Sequence, residues 1–168
     1  GDWTYYAFVF DSHNLAAIDN SRSATYTIND TVPVLGGIVF NNGNDITLNI
    51  KGAADTSVSL VNTSVVDMNG CNSIVSAVGA IYMSNATNGY NCSADDNDCY
   101  QVTVGNCVQS ECDSPTDITA TYTCTADMKY FAVPTDDSTG NPNESYGWMS
   151  YLRVYDGANY SDPATSSK

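Results

Sequence analysis

Carboxylate and amide side chains gather where this chain is richest in turn residues, and the chemistry they offer is that of a hard cation site. Ser93-Ala94-Asp95-Asp96-Asn97-Asp98 lies between Cys92 and Cys99, so that a disulfide across it would preorganise the loop. Calcium takes about six to eight oxygen ligands, and clustered Asp and Asn on loops supply them. Asp67-Met68-Asn69-Gly70 has the alternate-residue spacing of a calcium loop but lacks its distal glutamate. With Asp30 of the Asn29-Asp30 pair, the candidate calcium ligands are Asp95, Asp96, Asp98, Asp67, Asn69 and Asp30. The competing reading of the same residues is solvated turns.

Other reactive constellations are poor. Asp11-Ser12-His13 holds the residue types of a nucleophilic triad, and His13 is the only histidine. Neighbours in sequence point along a turn, however, and do not converge on one substrate atom. The only glutamates are Glu111 and Glu144, neither on a convincing strand end by sequence pattern, and no glycine-rich phosphate loop is present. The chain therefore reads as non-enzymatic. Asn-x-Ser/Thr acceptor sequences for glycosylation occur at Asn29, Asn62, Asn85, Asn91, Asn143 and Asn159.

These residues must be held by strands. Helix formers are scarce and turn residues recur every ten or so positions, which predicts an all-β protein. The clearest strand lies in ITATYTCTADMKYFAV, where Tyr122, Cys124, Ala126, Met128 and Tyr130 face one way and Thr121, Thr123, Thr125, Asp127 and Lys129 the other. Further strands are expected at Ser57 to Val61, Ser73 to Met83 and Tyr100 to Val104. GGIVFNN, a turn at Gly43-Asn44-Asp45 and ITLNI together predict a hairpin. The six cysteines, Cys71, Cys92, Cys99, Cys107, Cys112 and Cys124, contain no C-x-x-C pair and read as three disulfides made outside the cytoplasm. Connectivity is open among 15 pairings, with Cys92–Cys99 favoured among the local ones.

Charge narrows the partners. The 168 residues carry 19 acidic and 5 basic side chains, a net charge of −14. Phosphate binding needs a basic footprint that is absent, so nucleic acid is excluded as a partner. No apolar run approaches the roughly 20 residues that span a bilayer, and none has the basic head and apolar middle of a signal peptide. No membrane insertion is expected.

One element occurs twice. Trp3 opens WTYYAFVFDS and, 145 positions later, Trp148 opens WMSYLRVYDG, each ending in an aspartate eight residues on. Self-similarity at a fixed offset marks a repeat array. In the first copy Trp3, Tyr5, Ala7 and Val9 share one face, with Thr4, Tyr6, Phe8 and Phe10 opposite; in the second, Trp148, Ser150, Leu152 and Val154 oppose Met149, Tyr151, Arg153 and Tyr155. Phe8 stands where Arg153 does, so the first copy is apolar on both faces and an aggregation hazard if left bare.

The segments WTYYAFVFDSHNLAA, TYTINDTVPVL, MNGCNSIVSAVGAIYMS, SADDNDCYQV and YFAVPTDDSTGNPNESYGWMSYLRVYDG resemble the tandem immunoglobulin-like repeats, of cadherin or PKD type, in large secreted or cell-surface proteins of bacteria. The resemblance implies an immunoglobulin-like antiparallel β-sandwich with a Cys-bearing loop insert, extracellular and without catalytic residues. Asn29, Asp30 and Pro33 match part of the cadherin calcium linker, but Thr27 and Thr31 replace its Asp and Asn and remove oxygen ligands. The expected organisation is a strand at 1–21 equivalent to the last strand of a preceding repeat, a linker at 22–33, and the sandwich at 34–168. Trp3, Tyr5, Ala7 and Val9 would form the assembly strand, shared with an adjacent repeat or another copy of the chain. That makes the protein a structural module of a surface fibre; the alternative is a calcium-dependent adhesin or glycan-binding module.

Overall fold

The computed structural model describes residues 2–4, 8–10, 16–18, 25–27, 29–136 and 140–168, the first four segments as backbone strands. The chain divides into two units, Gly1–Asp30 and Thr31–Lys168. In the first, β1 (Asp2–Thr4) pairs antiparallel with β4 (Thr25–Thr27), and β2 (Phe8–Phe10) with β3 (Ala16–Ile18). Trp3 lies opposite Tyr26 and Val9 opposite Ala17, so these two members of the expected assembly strand belong to separate two-stranded sheets. Within the stretch read as a linker, 22–33, the β-prone Thr25-Tyr26-Thr27 forms β4. Tyr5, Ala7 and Asp11-Ser12-His13 lie outside the described residues.

The second unit holds two antiparallel sheets. One runs β10 (Cys107–Ser110), β11 (Thr119–Met128), β7 (Thr56–Val66), with β5 (Val34–Leu35) and β6 (Val39–Phe40) successively on the far side of β7. The other runs β13 (Ala164–Ser167), β12 (Trp148–Tyr155), β8 (Ser76–Met83), β9 (Cys99–Val102). No α-helix occurs among the described residues, and no helix is long and apolar enough to cross a membrane.

Period-two alternation places one face of each long strand in a common core. Val58 and Leu60 of β7, Cys124 and Met128 of β11, Ile81 and Met83 of β8, and Trp148, Leu152 and Val154 of β12 are all buried in it. The inward set of β12 is the one expected, with Ser150 also buried and its hydroxyl donating to the Ser166 carbonyl. On β11 the alternation slips at a bulge between Ala120 and Tyr122. Thr121 is buried there, and its hydroxyl donates to the Glu111 carboxylate.

The second sheet is covered on its other face as well. Ala80, Tyr82, Cys92, Cys99 and Tyr151 form a smaller cluster beneath the β8–β9 connection, and Tyr90 of that connection stacks on Tyr151 with ring centroids 4.2 Å apart. The face of β12 that carries Arg153 is therefore half covered. Arg153 lies over the Tyr160 ring at 4.4 Å and donates to the Ser161 carbonyl.

The hairpin expected at 36–50 does not form. β6 ends at Phe40, and Asn41, Asn42 and Gly43 all adopt left-handed backbone (φ 47, 54 and 79), the first two open to it because short polar side chains tolerate that region. Residues 46–50 then run on without a sheet partner, Ile46 and Leu48 packing on the core while Ile50 is exposed.

β8 runs so close to its neighbour that position 79 takes only glycine. A Cβ on Gly79 would stand 2.8 Å from the Tyr151 carbonyl oxygen and 3.1 Å from Leu60 Cδ1. Gly79→Ala is expected to cost about 1–3 kcal/mol, as overpacking of a filled core does, and to lower the thermal midpoint by several degrees in a calorimetric melt.

Candidate functional site

The doubled element shows its design in its second copy. Trp148 opens β12 buried in the core, its ring 6.0 Å from that of Tyr100, and its carbonyl accepts from Lys168 N–H. Asp156 closes the strand: its Oδ1 accepts from the N–H groups of Ala158 and Asn159, holding a turn in which Gly157 has φ +100. The tryptophan thus anchors one end of the strand in the core and the aspartate stops the other.

Trp148 also floors an open groove of about 650 Å³. One wall is the extended segment Asp45–Leu48, the other Val133–Asp136, and Lys168 stands at the side. Among the described residues the backbone groups of Ile46, Thr47 and Leu48 have no backbone hydrogen-bond partner. The Lys168 ammonium donates to the Gly43 carbonyl and lies 3.9 Å from Asp45. This groove was not foreseen, because the alternation of ITLNI is equally that of a paired strand; the run of asparagines before it was the available signal.

The candidate calcium ligands serve their own turns. Asp95 Oδ1 accepts from the N–H groups of Asn97, Asp98 and Cys99 at 2.9, 3.0 and 3.1 Å. Asp96 is exposed in left-handed backbone (φ 61), and its carbonyl accepts from the Tyr100 hydroxyl. Asp67 is fully buried, Oδ1 accepting from Asn69 N–H and Oδ2 from the Ser73 hydroxyl. Asn69 Oδ1 is taken by the N–H and hydroxyl of Thr31, and Asp30 is exposed. Among the described residues no group of three or more His, Cys, Asp or Glu is placed to hold a metal ion.

Asp95 and Asp98 nonetheless act on each other. Burial pushes the Asp95 carboxyl up, but its three backbone donors and the Asp98 side chain outweigh this and hold it below the usual aspartate range. Asp98 is pushed above that range, by burial and then by the hydrogen bond and charge of Asp95. Tyr100, which ties this loop to β11 through Lys129 N–H, is pushed up to about 12 mainly by burial.

All six cysteines are paired, as Cys71–Cys112, Cys92–Cys99 and Cys107–Cys124. The favoured local pair is among them. Cys71–Cys112 closes the longest loop, 41 residues, and on chain-entropy grounds contributes about 4 kcal/mol. Cys107 and Cys124 face each other across β10 and β11. Of the glycosylation acceptors, Asn29, Asn85 and Asn91 are exposed, Asn143 and Asn159 half-buried, and Asn62 fully buried. The Asn62 amide donates to the Gly36 carbonyl and its oxygen accepts from Ser64 N–H, which withdraws Asn62 from the candidates in the folded chain.

No family model, curated protein or solved structure matches the chain.

The Asp95–Asp98 pair makes a pH-dependent prediction. A carboxyl whose folded pKa is raised costs stability when charged, and costs nothing below its unfolded pKa near 3.8. Asp98→Asn should therefore raise the melting temperature at pH 7, with the gain vanishing by about pH 3; melts of both proteins across that range read it directly.

Proposed function

We propose that this protein is a non-enzymatic structural module of an extracellular surface fibre or array, joined head to tail to copies of itself or to adjacent repeats by β-strand sharing. One observation carries the reading. Among the described residues both large sheets are built from strands of the second unit, whereas the first unit repeats the sequence pattern of β12 and its described strands form two-stranded pairings three residues long. Two-stranded pieces of that size have little stability of their own, and a run apolar on both faces needs cover. The groove above Trp148 has the attributes of an acceptor: apolar side chains, a strand-like wall whose backbone groups have no backbone partner among the described residues, and room for a large side chain.

Strand order supports an immunoglobulin-like sandwich. With β5/β6 as A and β7 to β13 as B, C, C′, D, E, F and G, the sheets become A-B-E-D and G-F-C-C′, the arrangement of immunoglobulin-like domains. The bridge between the B and F strands typical of antibody domains has no counterpart among the three disulfides. Three disulfides in a small β-protein favour an oxidising, extracellular setting. In a filament of this kind each donated strand contributes ladder hydrogen bonds and buried aromatic area, and a head-to-tail contact does not close on itself.

Trp3→Ala tests it. Losing a buried tryptophan costs about 3–5 kcal/mol, more than a hundredfold in association, so the variant should sediment as monomers with an unchanged melt of the second unit. Excess WTYYAFVFD peptide should shorten wild-type fibres seen by electron microscopy. Fibres from Trp3→Ala equal to wild type in number and length overturn strand sharing. The second reading, a calcium-dependent glycan binder, draws on the facing Asp95 and Asp98 carboxylates; it requires EDTA to lower the melting temperature and abolish binding to a glycan array.

A further inference from the structure

We propose that the connection between β8 and β9 carries two N-linked glycans, on Asn85 and Asn91. The inference rests on exposure, backbone setting and the state of each acceptor hydroxyl, and needs only that the chain meets a glycosylating compartment, whether or not it forms fibres.

The structure separates acceptor sequences that look alike on paper. Asn62 is fully buried with both ends of its amide bonded, and a sugar there is incompatible with β7. Asn159 is half-buried in the turn that Asp156 closes. Asn143 is half-buried in another turn, its N–H donating to Asn141 Oδ1. Asn29 is exposed, but the hydroxyl of its acceptor sequence, Thr31, donates to Asn69 Oδ1 at 2.5 Å.

Asn85 and Asn91 differ on each count. Both are exposed, as are Thr87 and Ser93, which supply their hydroxyls. Among the described residues neither side-chain amide makes a hydrogen bond. Their backbone is nevertheless fixed: Ala86 N–H donates to the Met83 carbonyl, Gly89 to Ala86, Asn91 to Asn88 and Cys92 to Gly89, a run of tight turns ending at the Cys92–Cys99 disulfide. Gln101 pins the same stretch from β9, its side-chain amide donating to the carbonyls of Tyr90 and Cys92. Two unencumbered amides thus project from a braced surface loop, the setting an N-glycosylation acceptor requires in a secreted protein.

The transfer balances without redox chemistry. The asparagine Nδ2 bonds to C1 of an oligosaccharide carried on a lipid pyrophosphate, the C1–O bond to the pyrophosphate breaks, the lipid pyrophosphate leaves, and the amide gives up one proton. Nothing else in the chain changes.

Peptide mass spectrometry of the full chain purified from its own source tests this. The expected result is hexose-type mass increments on the peptides bearing Asn85 and Asn91 and none on the Asn62 peptide. Asn85→Gln and Asn91→Gln should each remove one increment while the melting temperature changes by no more than about a degree, since neither amide is bonded. An unmodified Asn85 or Asn91 in that material, or a glycan on Asn62, overturns the proposal.

Discussion

Four strands lock one another in place, and the rest of the second unit hangs from them. β7 pairs with β11 in one sheet and β8 with β12 in the other, while the chain passes directly from β7 to β8 and from β11 to β12 between sheets. Neither sheet can lose a central strand without pulling on its counterpart, because each connection belongs to both. Burial of Leu60, Ile81, Met128 and Leu152 between them supplies the adhesion, at roughly 1.5–3 kcal/mol per large apolar side chain. Two of the three disulfides lie around this frame. Cys71–Cys112 ties the β7–β8 turn to the stretch after β10, and Cys92–Cys99 closes the cover over the second sheet. They restrain irregular chain, which has the most entropy to lose.

Within that frame β12 explains why the doubled motif reads as it does. An interior strand needs partners on both edges, which β8 and β13 supply, an anchor in the core, which is Trp148, and a stop, which is Asp156. The motif is therefore a specification for a central strand. Arg153 is where the two copies part. In β12 that position reaches past the sheet to Tyr160 and the Ser161 carbonyl and so lives at a wet boundary. Phe8 in its place has no polar end to satisfy and asks for an apolar surface above it.

What was legible in the sequence follows from period two. β12 and, from Tyr122 to Met128, β11 show inward sets matching their alternation, while Tyr130 lies past the end of β11 and is exposed; β8 and β9 fall on the expected runs, cut short where 3-10 turns at Cys71–Ser73 and Val104–Asn106 take over, and β7 runs on past its expected end to Val66. Period two does not reveal whether a strand has partners, which is why ITLNI read as half of a hairpin. It also hides a bulge, so Thr121 was set on the face opposite Tyr122 although both are buried. The acidic clusters were visible, but composition cannot tell a carboxylate waiting for a cation from one already capping its own turn, as Asp67 and Asp95 do. The double-sided cover of the second sheet depends on where Tyr90 lands, a long-range outcome with no local signature.

Charge bears on how such units can meet. At a net charge of −14, two copies repel over the length of a contact. Three of the five basic side chains are engaged inside the second unit: Lys129 on Asp55 at 2.7 Å, Lys168 on the Gly43 carbonyl, Arg153 on Tyr160 and Ser161. Little positive charge is left to draw an acidic neighbour in. An association between copies must then be carried by terms that ignore sign, apolar burial and backbone hydrogen bonds, and a strand laid into a groove supplies both at once. The repulsion also disfavours side-by-side pairing of the edge strands of the two sheets, β5, β6 and β10 in one and β9 and β13 in the other. Self-repulsion and a strand-shaped contact are in this sense complementary: the first suppresses most ways for two such molecules to stick, and the second is the kind of contact strong enough to survive it.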